Sequence, residues 1–367
     1  MFRQYKLRNY DIKLIIFVIV LSTIGVLAVG SAQESLQEKQ LLGMITGIVI
    51  MLFLSMINYS FYLNFYWIIY IINILLLISV LLFGVEVNGA KRWLTMGGIQ
   101  FQPSETAKIL LILFFAQFIM KHKEKINSPR ILFSSIVLFL IPVGLIYKEP
   151  DLSTSIIVCI LFCVIMFVGG ISYRIVGALI AIVIPTFVTF VILVLQPNQK
   201  ILQDYQVTRL LAWLQPENYA DSAAYQTTNA TIAIGSGMLW GKGLNNNEIA
   251  SVKNGNFIAE PQTDFIFAVI GEELGFVGGC SVILLLLGII LFCLLIARKA
   301  KDLSGRIIAS SVAALIGFQG FINIAVATGL FPNTGIPLPF VSAGLTSLVS
   351  LYMGIGIVLN IGLQPKK

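Results

Sequence analysis

The residues able to do chemistry in this chain are few, and they are gathered at the ends of long apolar runs. Gly89-Ala90-Lys91-Arg92-Trp93-Leu94 leads through Gln102-Pro103-Ser104-Glu105-Thr106-Ala107-Lys108 into one run. Lys148-Glu149-Pro150-Asp151 joins two others, and Ala259-Glu260-Pro261-Gln262-Thr263-Asp264 passes directly into Phe265-Ile266-Phe267-Ala268 and on to Glu272-Glu273. The sole histidine, His122, stands in the basic run Lys121-His122-Lys123-Glu124-Lys125. A histidine base, a His-ligated metal and a Ser-His-Asp triad are therefore excluded, and acid–base work falls to a carboxylate. A charge at mid-bilayer costs roughly 2.5–3.5 kcal/mol on insertion scales, so ionisable groups beside such runs are functional candidates. Each also has a structural reading. Glu105 and Lys108, at i and i+3, would form an intrahelical ion pair, Lys91-Arg92-Trp93 would anchor at a headgroup interface, and Glu149, Asp151 and Asp264 would cap helix N-termini.

The elements that must position these residues follow from composition. Of 367 residues, 57% are hydrophobic and 11% charged, whereas soluble domains carry roughly 25% charged residues. That excludes a soluble enzyme and a disordered chain. Runs long enough for a helix to cross the hydrocarbon fall at about 14–31, 41–59, 62–84, 101–120, 131–147, 152–170, 174–196, 270–297, 304–330 and 340–363. The expected fold is an all-α polytopic membrane bundle of about ten helices, a single integral membrane domain over 1–367. The first run resembles a secretory signal, but its length and the nine that follow favour a retained helix. Residues 197–263 form one long connection between the seventh and eighth runs. With Leu210-Leu211-Ala212-Trp213-Leu214, Thr231-Ile232-Ala233-Ile234 and several glycine turns, it should fold onto the mouth of the bundle.

The charge, +7 from 24 Lys and Arg against 17 Asp and Glu, is read by location. With the N-terminus inside, 15 basic residues fall on cytoplasmic segments and 8 on outer ones, which places both termini in the cytoplasm. The charge thus marks topology and implies no nucleic-acid partner. The charged stretches above then share the outer side. Cys159, Cys163, Cys280 and Cys293 lie inside apolar runs and are expected to fill the core, without forming a disulfide or metal set.

Four motifs in order resemble the SEDS family of shape, elongation, division and sporulation proteins: Gly89-Ala90-Lys91-Arg92-Trp93 with Gln102-Pro103-Ser104-Glu105, Lys148-Glu149-Pro150-Asp151-Leu152, Thr263-Asp264-Phe265-Ile266-Phe267-Ala268 through Gly275-Phe276, and Thr334-Gly335-Ile336-Pro337-Leu338-Pro339-Phe340-Val341-Ser342. The resemblance implies a peptidoglycan glycosyltransferase in the bacterial cytoplasmic membrane. Such an enzyme polymerises lipid II on the outer face and works with a class B penicillin-binding protein that cross-links the strands. It implies an essential acid at Asp264 and functionally sensitive residues at Arg92, Trp93, Glu105 and Lys108. Gln262 stands where the family often has His, and Ala343-Gly344-Leu345 where it often has Tyr-Gly-Gly. These departures bear on subfamily and partner more than on chemistry.

Joining an acceptor sugar hydroxyl to a donor that leaves as a lipid pyrophosphate needs a base and charge stabilisation of the leaving group. Asp264 is the expected base. Lys91, Arg92, Lys108, Lys148 and Arg209 are the candidate cations, with Trp93, Glu105, Glu149 and Asp151 completing the substrate-binding set. Glu149 and Asp151 are also hard-metal ligand types, so a divalent cation, Mg or Mn, could share the leaving-group role, although their spacing does not by itself demonstrate a metal site. A RodA-like elongation role is preferred over division or sporulation. The rival readings are a lipid II flippase, which would place polar groups near the midplane on broken helices, and a scaffold for wall enzymes, which leaves the charged cluster unexplained.

Overall fold

The computed structural model describes residues 10–87, 90–96, 99–194, 204–219, 222, 224–245, 251 and 257–364. Each of the ten apolar runs carries a helix. In chain order these are α1 (Ile12–Ala32), α2 (Glu34–Met56), the short α3 (Tyr59–Asn64), α4 (Tyr66–Phe83), α5 (Pro103–Lys121), α6 (Pro129–Lys148), α7 (Leu152–Val168) and α8 (Tyr173–Val194). There follow α9 (Asp204–Leu214) and α10 (Tyr225–Ser236) in the long connection, then α11 (Ile266–Glu273), α12 (Gly275–Lys299), α13 (Leu303–Ala327) and α14 (Leu345–Leu363). Among the described residues eight helices are long and apolar enough to cross a membrane: α1, α2, α4, α5, α6, α12, α13 and α14. The apolar α7 is shorter, at 17 residues.

Helix starts obey local chemistry. Asp11 accepts from the Leu14 amide at 3.2 Å, Asp302 from the Gly305 amide at 2.8 Å, and α5 and α6 open on Pro103 and Pro129, where a missing N–H costs nothing. The bundle is sorted by burial. α5, α13 and α14 bury most of their length, whereas α12 leaves Leu284, Leu287 and Leu291 exposed at spacings of three and four. That is the stripe a helix turns toward lipid.

The structure departs from the sequence expectation in several places. The all-α expectation misses a three-stranded antiparallel meander between α4 and α5: β1 (Val85–Val87), β2 (Ala90–Met96) and β3 (Ile99–Phe101). The tenth run is helical only from Leu345; residues 336–343 pack as non-helical chain, with Leu338, Phe340 and Val341 buried. The cysteines split, Cys293 buried but Cys159 and Cys163 exposed on α7, so those two face outward instead of filling the core.

The eighth run is broken at Leu274, and the long connection is what fastens onto the break. The amides of Phe276 and Val277 donate to the carbonyls of Met238 and Leu239 at 2.9 and 3.2 Å, and those of Lys242 and Gly243 donate to Glu272 and Glu273 at 3.0 and 2.9 Å. Gly241 makes this possible: its φ is +80°, and a Cβ there would lie 2.1 Å from the Glu273 carbonyl oxygen. Glu272 pairs with Lys242 at 2.8 Å, and Glu273 accepts from the Ser31 hydroxyl. Both acids therefore hold the connection to the bundle, one helix below Asp264.

Candidate active site

Asp264 sits one residue before the cap position of α11, which is Phe265 and has no side-chain cap hydrogen bond. Its carboxylate is thus not a helix cap. What holds it is the backbone. Asn323 of α13 donates through Nδ2 to the Asp264 carbonyl and to the Ile336 carbonyl, both at 2.8 Å. The Ser342 hydroxyl donates to the Thr263 carbonyl at 2.6 Å and accepts from the Leu338 amide at 2.7 Å, and the Ala343 amide donates to the Gln262 carbonyl at 2.8 Å. The 336–343 segment and residues 262–264 are therefore stitched edge to edge. Gly335, with φ +71°, lies against the acid; a Cβ there would stand 3.4 Å from Asp264 Oδ2.

The carboxylate is left partly exposed and makes no hydrogen bond among the described residues. Burial pushes its pKa up to about 6; Arg209 draws it down, Glu260 raises it and Arg92 draws it down. A carboxyl poised there is largely ionised at neutral pH yet basic enough to take a proton.

Arg92 reaches from β2 to the turn between α6 and α7. Its Nε donates to the Glu149 carbonyl at 3.2 Å, and Nη2 donates to the Pro150 carbonyl. The Glu149 side chain is fully buried, and neither carboxylate oxygen has a partner among the described residues. Burial, and secondarily Asp151, push its pKa up to about 8 against the opposing pull of Arg92, so it is mostly neutral at pH 7. Asp151 is taken up locally: it accepts from the Thr154 amide at 3.0 Å, the Thr154 hydroxyl at 2.9 Å and Gln102 Nε2 at 3.4 Å. Glu149 and Asp151 thus sit in different surroundings, Glu149 without a side-chain hydrogen bond among the described residues and Asp151 engaged at the start of α7. Among the described residues no cluster of three or more His, Cys, Asp or Glu side chains is placed to hold a metal.

The other sequence candidates are dispersed. Glu105 and Lys108 are both buried and close on each other at 2.6 Å, which is the intrahelical pair and not an open cationic site. Lys91 is exposed, facing Glu86 across β1 and β2. Trp93 is half-buried opposite Val85. Lys148 is exposed at the last position of α6. Arg209 on α9 donates to the Asn333 carbonyl at 3.4 Å. Brought together, then, are Asp264, Arg92, Arg209 and Glu149. Sequence reasoning missed Asn323, whose signal was an amide inside an apolar run, and gave no role to Gly335 or Ser342, though both stood in a noted motif.

Helices with lipid-facing stripes, capped at one end by irregular chain around a poised acid and two guanidinium groups, define a polytopic membrane protein with a polar site at one end of its bundle. Residues 8–367 match the FtsW, RodA and SpoVE family, described as cell cycle proteins, and the chain belongs to that family. It is 34% identical over 358 residues to the peptidoglycan glycosyltransferase MrdB of Escherichia coli K12, covering 96% of this chain and 92% of the relative. Its fold matches a chain from a peptidoglycan synthase complex described as coordinating polymerization and crosslinking, with a TM-score of 0.78 and 29% identity, covering 96% and 97% of the two chains. It also matches the rod shape determining protein RodA of Thermus thermophilus, with a TM-score of 0.69 and 27% identity over 96% of each.

Proposed function

We propose that this protein is a peptidoglycan glycosyltransferase that polymerises lipid II into glycan strands. The observation that carries the reading is the Asp264 carboxylate, held through its backbone by Asn323, free of any capping duty and acted on by Arg209 and Arg92. In the reaction Asp264 takes the proton of the acceptor sugar 4-hydroxyl as that oxygen bonds to the anomeric carbon of the donor. The bond from that carbon to the pyrophosphate breaks, and its electron pair leaves with the lipid pyrophosphate. Attack from the face opposite the leaving group inverts the anomeric centre. Arg209 and Arg92 supply positive charge on the side where the leaving group develops negative charge. No step is assigned to a metal.

The whole chain acts as one integral membrane domain with its termini in the cytoplasm. The loop-bearing end, including the 197–263 connection, faces outward from the cytoplasmic membrane, as the distribution of basic residues supports. A class B penicillin-binding protein cross-links the strands as they emerge, and a RodA-like role in elongation is preferred. The polar groups gather at one end of the bundle, and α5 and α13 run through it as unbroken helices, which favours chemistry at one face over passage across.

The test is purified protein in proteoliposomes with labelled lipid II, scored for glycan polymer and for translocated lipid. Polymer that disappears in Asp264→Asn supports the reading; translocation without polymer replaces it with a flippase.

A further inference from the structure

Beside the acid lies a cleft of which the reaction as derived uses one lining residue, Arg209. It runs between α9, α10 and the turn at 329–333, with a cavity volume of about 160 Å³. Trp213, Thr227, Thr228 and Asn333 are among the residues that line it. Trp213 is fixed in place, its indole N–H donating to the Gly329 carbonyl at 3.2 Å, with 38% of its surface still exposed. Among the described residues that line the cleft, Arg209 is the sole charged one.

The cleft is joined to Asp264 twice. Arg209 lines it, and Arg209 is the strongest charge drawing the Asp264 pKa down. Asn333 also lines it, and its side-chain oxygen accepts at 3.2 Å from the amide of Gly335, the residue packed against Asp264 Oδ2. A ligand in the cleft therefore lies next to the atoms around the carboxylate.

The lining selects the ligand class. A lipid tail would set hydrocarbon against the Arg209 guanidinium and two threonines, at a cost of about 1–3 kcal/mol for each polar group left without a hydrogen bond. A diphosphate calls for several cations or a row of backbone amides, and the cleft has one cation. A pyranose ring has an apolar face for the indole and polar edges for the threonines and the arginine of the lining. We propose that this cleft is a sugar subsite, occupied by an N-acetylhexosamine unit of the growing glycan strand adjacent to the bond being formed. The assignment to a growing strand rests on the glycosyltransferase reading; the affinity for sugar does not.

The test uses the full-length protein in nanodiscs and a lipid-free β-1,4-linked N-acetylglucosamine tetrasaccharide, with binding read by saturation-transfer NMR and by titration. The wild type is expected to bind, and Trp213→Ala to weaken binding about tenfold, the scale of one lost aromatic contact. Because that change also removes the bond to Gly329, Thr227→Val with Thr228→Val attacks the opposite wall and should weaken binding as well, while Trp213→Phe keeps a ring and most of the affinity. In polymerisation assays the two weakened variants should release shorter glycan than wild type. Absence of binding to the wild type, or binding that both weakened variants retain in full, would overturn the subsite. If sugar binds and the variants lose it, but no polymer forms from labelled lipid II, the subsite stands and the glycosyltransferase reading falls.

Discussion

The side-chain amide of Asn323 donates to the backbone carbonyl of Asp264 at 2.8 Å and, from the same nitrogen, to the carbonyl of Ile336 at 2.8 Å. One buried side chain on α13 thus sets where the acid stands relative to the segment that packs over it. Asn323→Leu keeps the carboxylate but removes both bonds. Misplacement of a reacting group by about 1 Å can cost on the order of a hundredfold. The expected outcome is polymerisation reduced tenfold or more by that estimate, with a lowered melting temperature in the same preparation. Wild-type turnover from this variant would show that Asn323 does not position the acid.

Asp264→Asn is nearly isosteric and leaves the backbone bond from Asn323 intact, but an amide takes no proton at neutral pH. General-base assistance is typically worth about 10²–10⁴-fold. Glycan polymer should fall by at least about a hundredfold on that scale, with unchanged expression and melting. Near-normal polymer would move the base role elsewhere.

The pH dependence follows from the same carboxyl. With its pKa raised to about 6, the base form is lost as pH falls through that value, so activity should climb with pH and level off above it. Arg209 draws the pKa down, so Arg209→Gln should move the midpoint to higher pH as well as lower the rate. A midpoint that stays put in this variant would place Arg209 outside the field of the acid.

Glu149 predicts a stability effect of definite sign. Its pKa in the fold is about 8 against an ordinary value of 4.5, so between those values the folded state holds a proton that the unfolded state has released. Stability falls with pH across that window and levels off above it. Glu149→Gln removes this slope, so its melting temperature should exceed that of the wild type at pH 9 and lie closer to it at pH 5. Parallel melting curves for the two proteins over that range would rule out a buried, neutral Glu149.

Orientation can be read with cysteines. Glu217 lies in the long connection and Lys301 between α12 and α13, both exposed. With the native cysteines replaced, Glu217→Cys should react with a membrane-impermeant thiol reagent in intact cells and Lys301→Cys should not. The reverse pattern would put the site on the cytoplasmic side.

What the sequence by itself determined is what local physics encodes. Each of the ten apolar runs carries a helix because a chain in hydrocarbon must satisfy its own backbone bonds. Asp11, Pro103 and Pro129 marked helix starts because capping is a matter of neighbours in the chain. The Glu105–Lys108 pair was legible for the same reason, being three residues apart on one helix. The three charged stretches were visible as departures from that apolar background, and Asp264 among them. Only the tertiary structure decided what each stretch does. Asn323 and Asp264 are 59 residues apart, and Arg92 meets the carbonyls of Glu149 and Pro150 at separations of 57 and 58; such hydrogen bonds leave no periodic trace. The docking of the long connection onto the break at Leu274 depends on the close approach of Gly241 from another segment, and the short strands depend on one another for their hydrogen bonds. Asp151 and Glu149 look alike in sequence, two residues apart, yet one caps α7 and the side chain of the other is buried without a hydrogen bond among the described residues. Their difference is one of solvent and neighbours, and those exist only once the helices have packed.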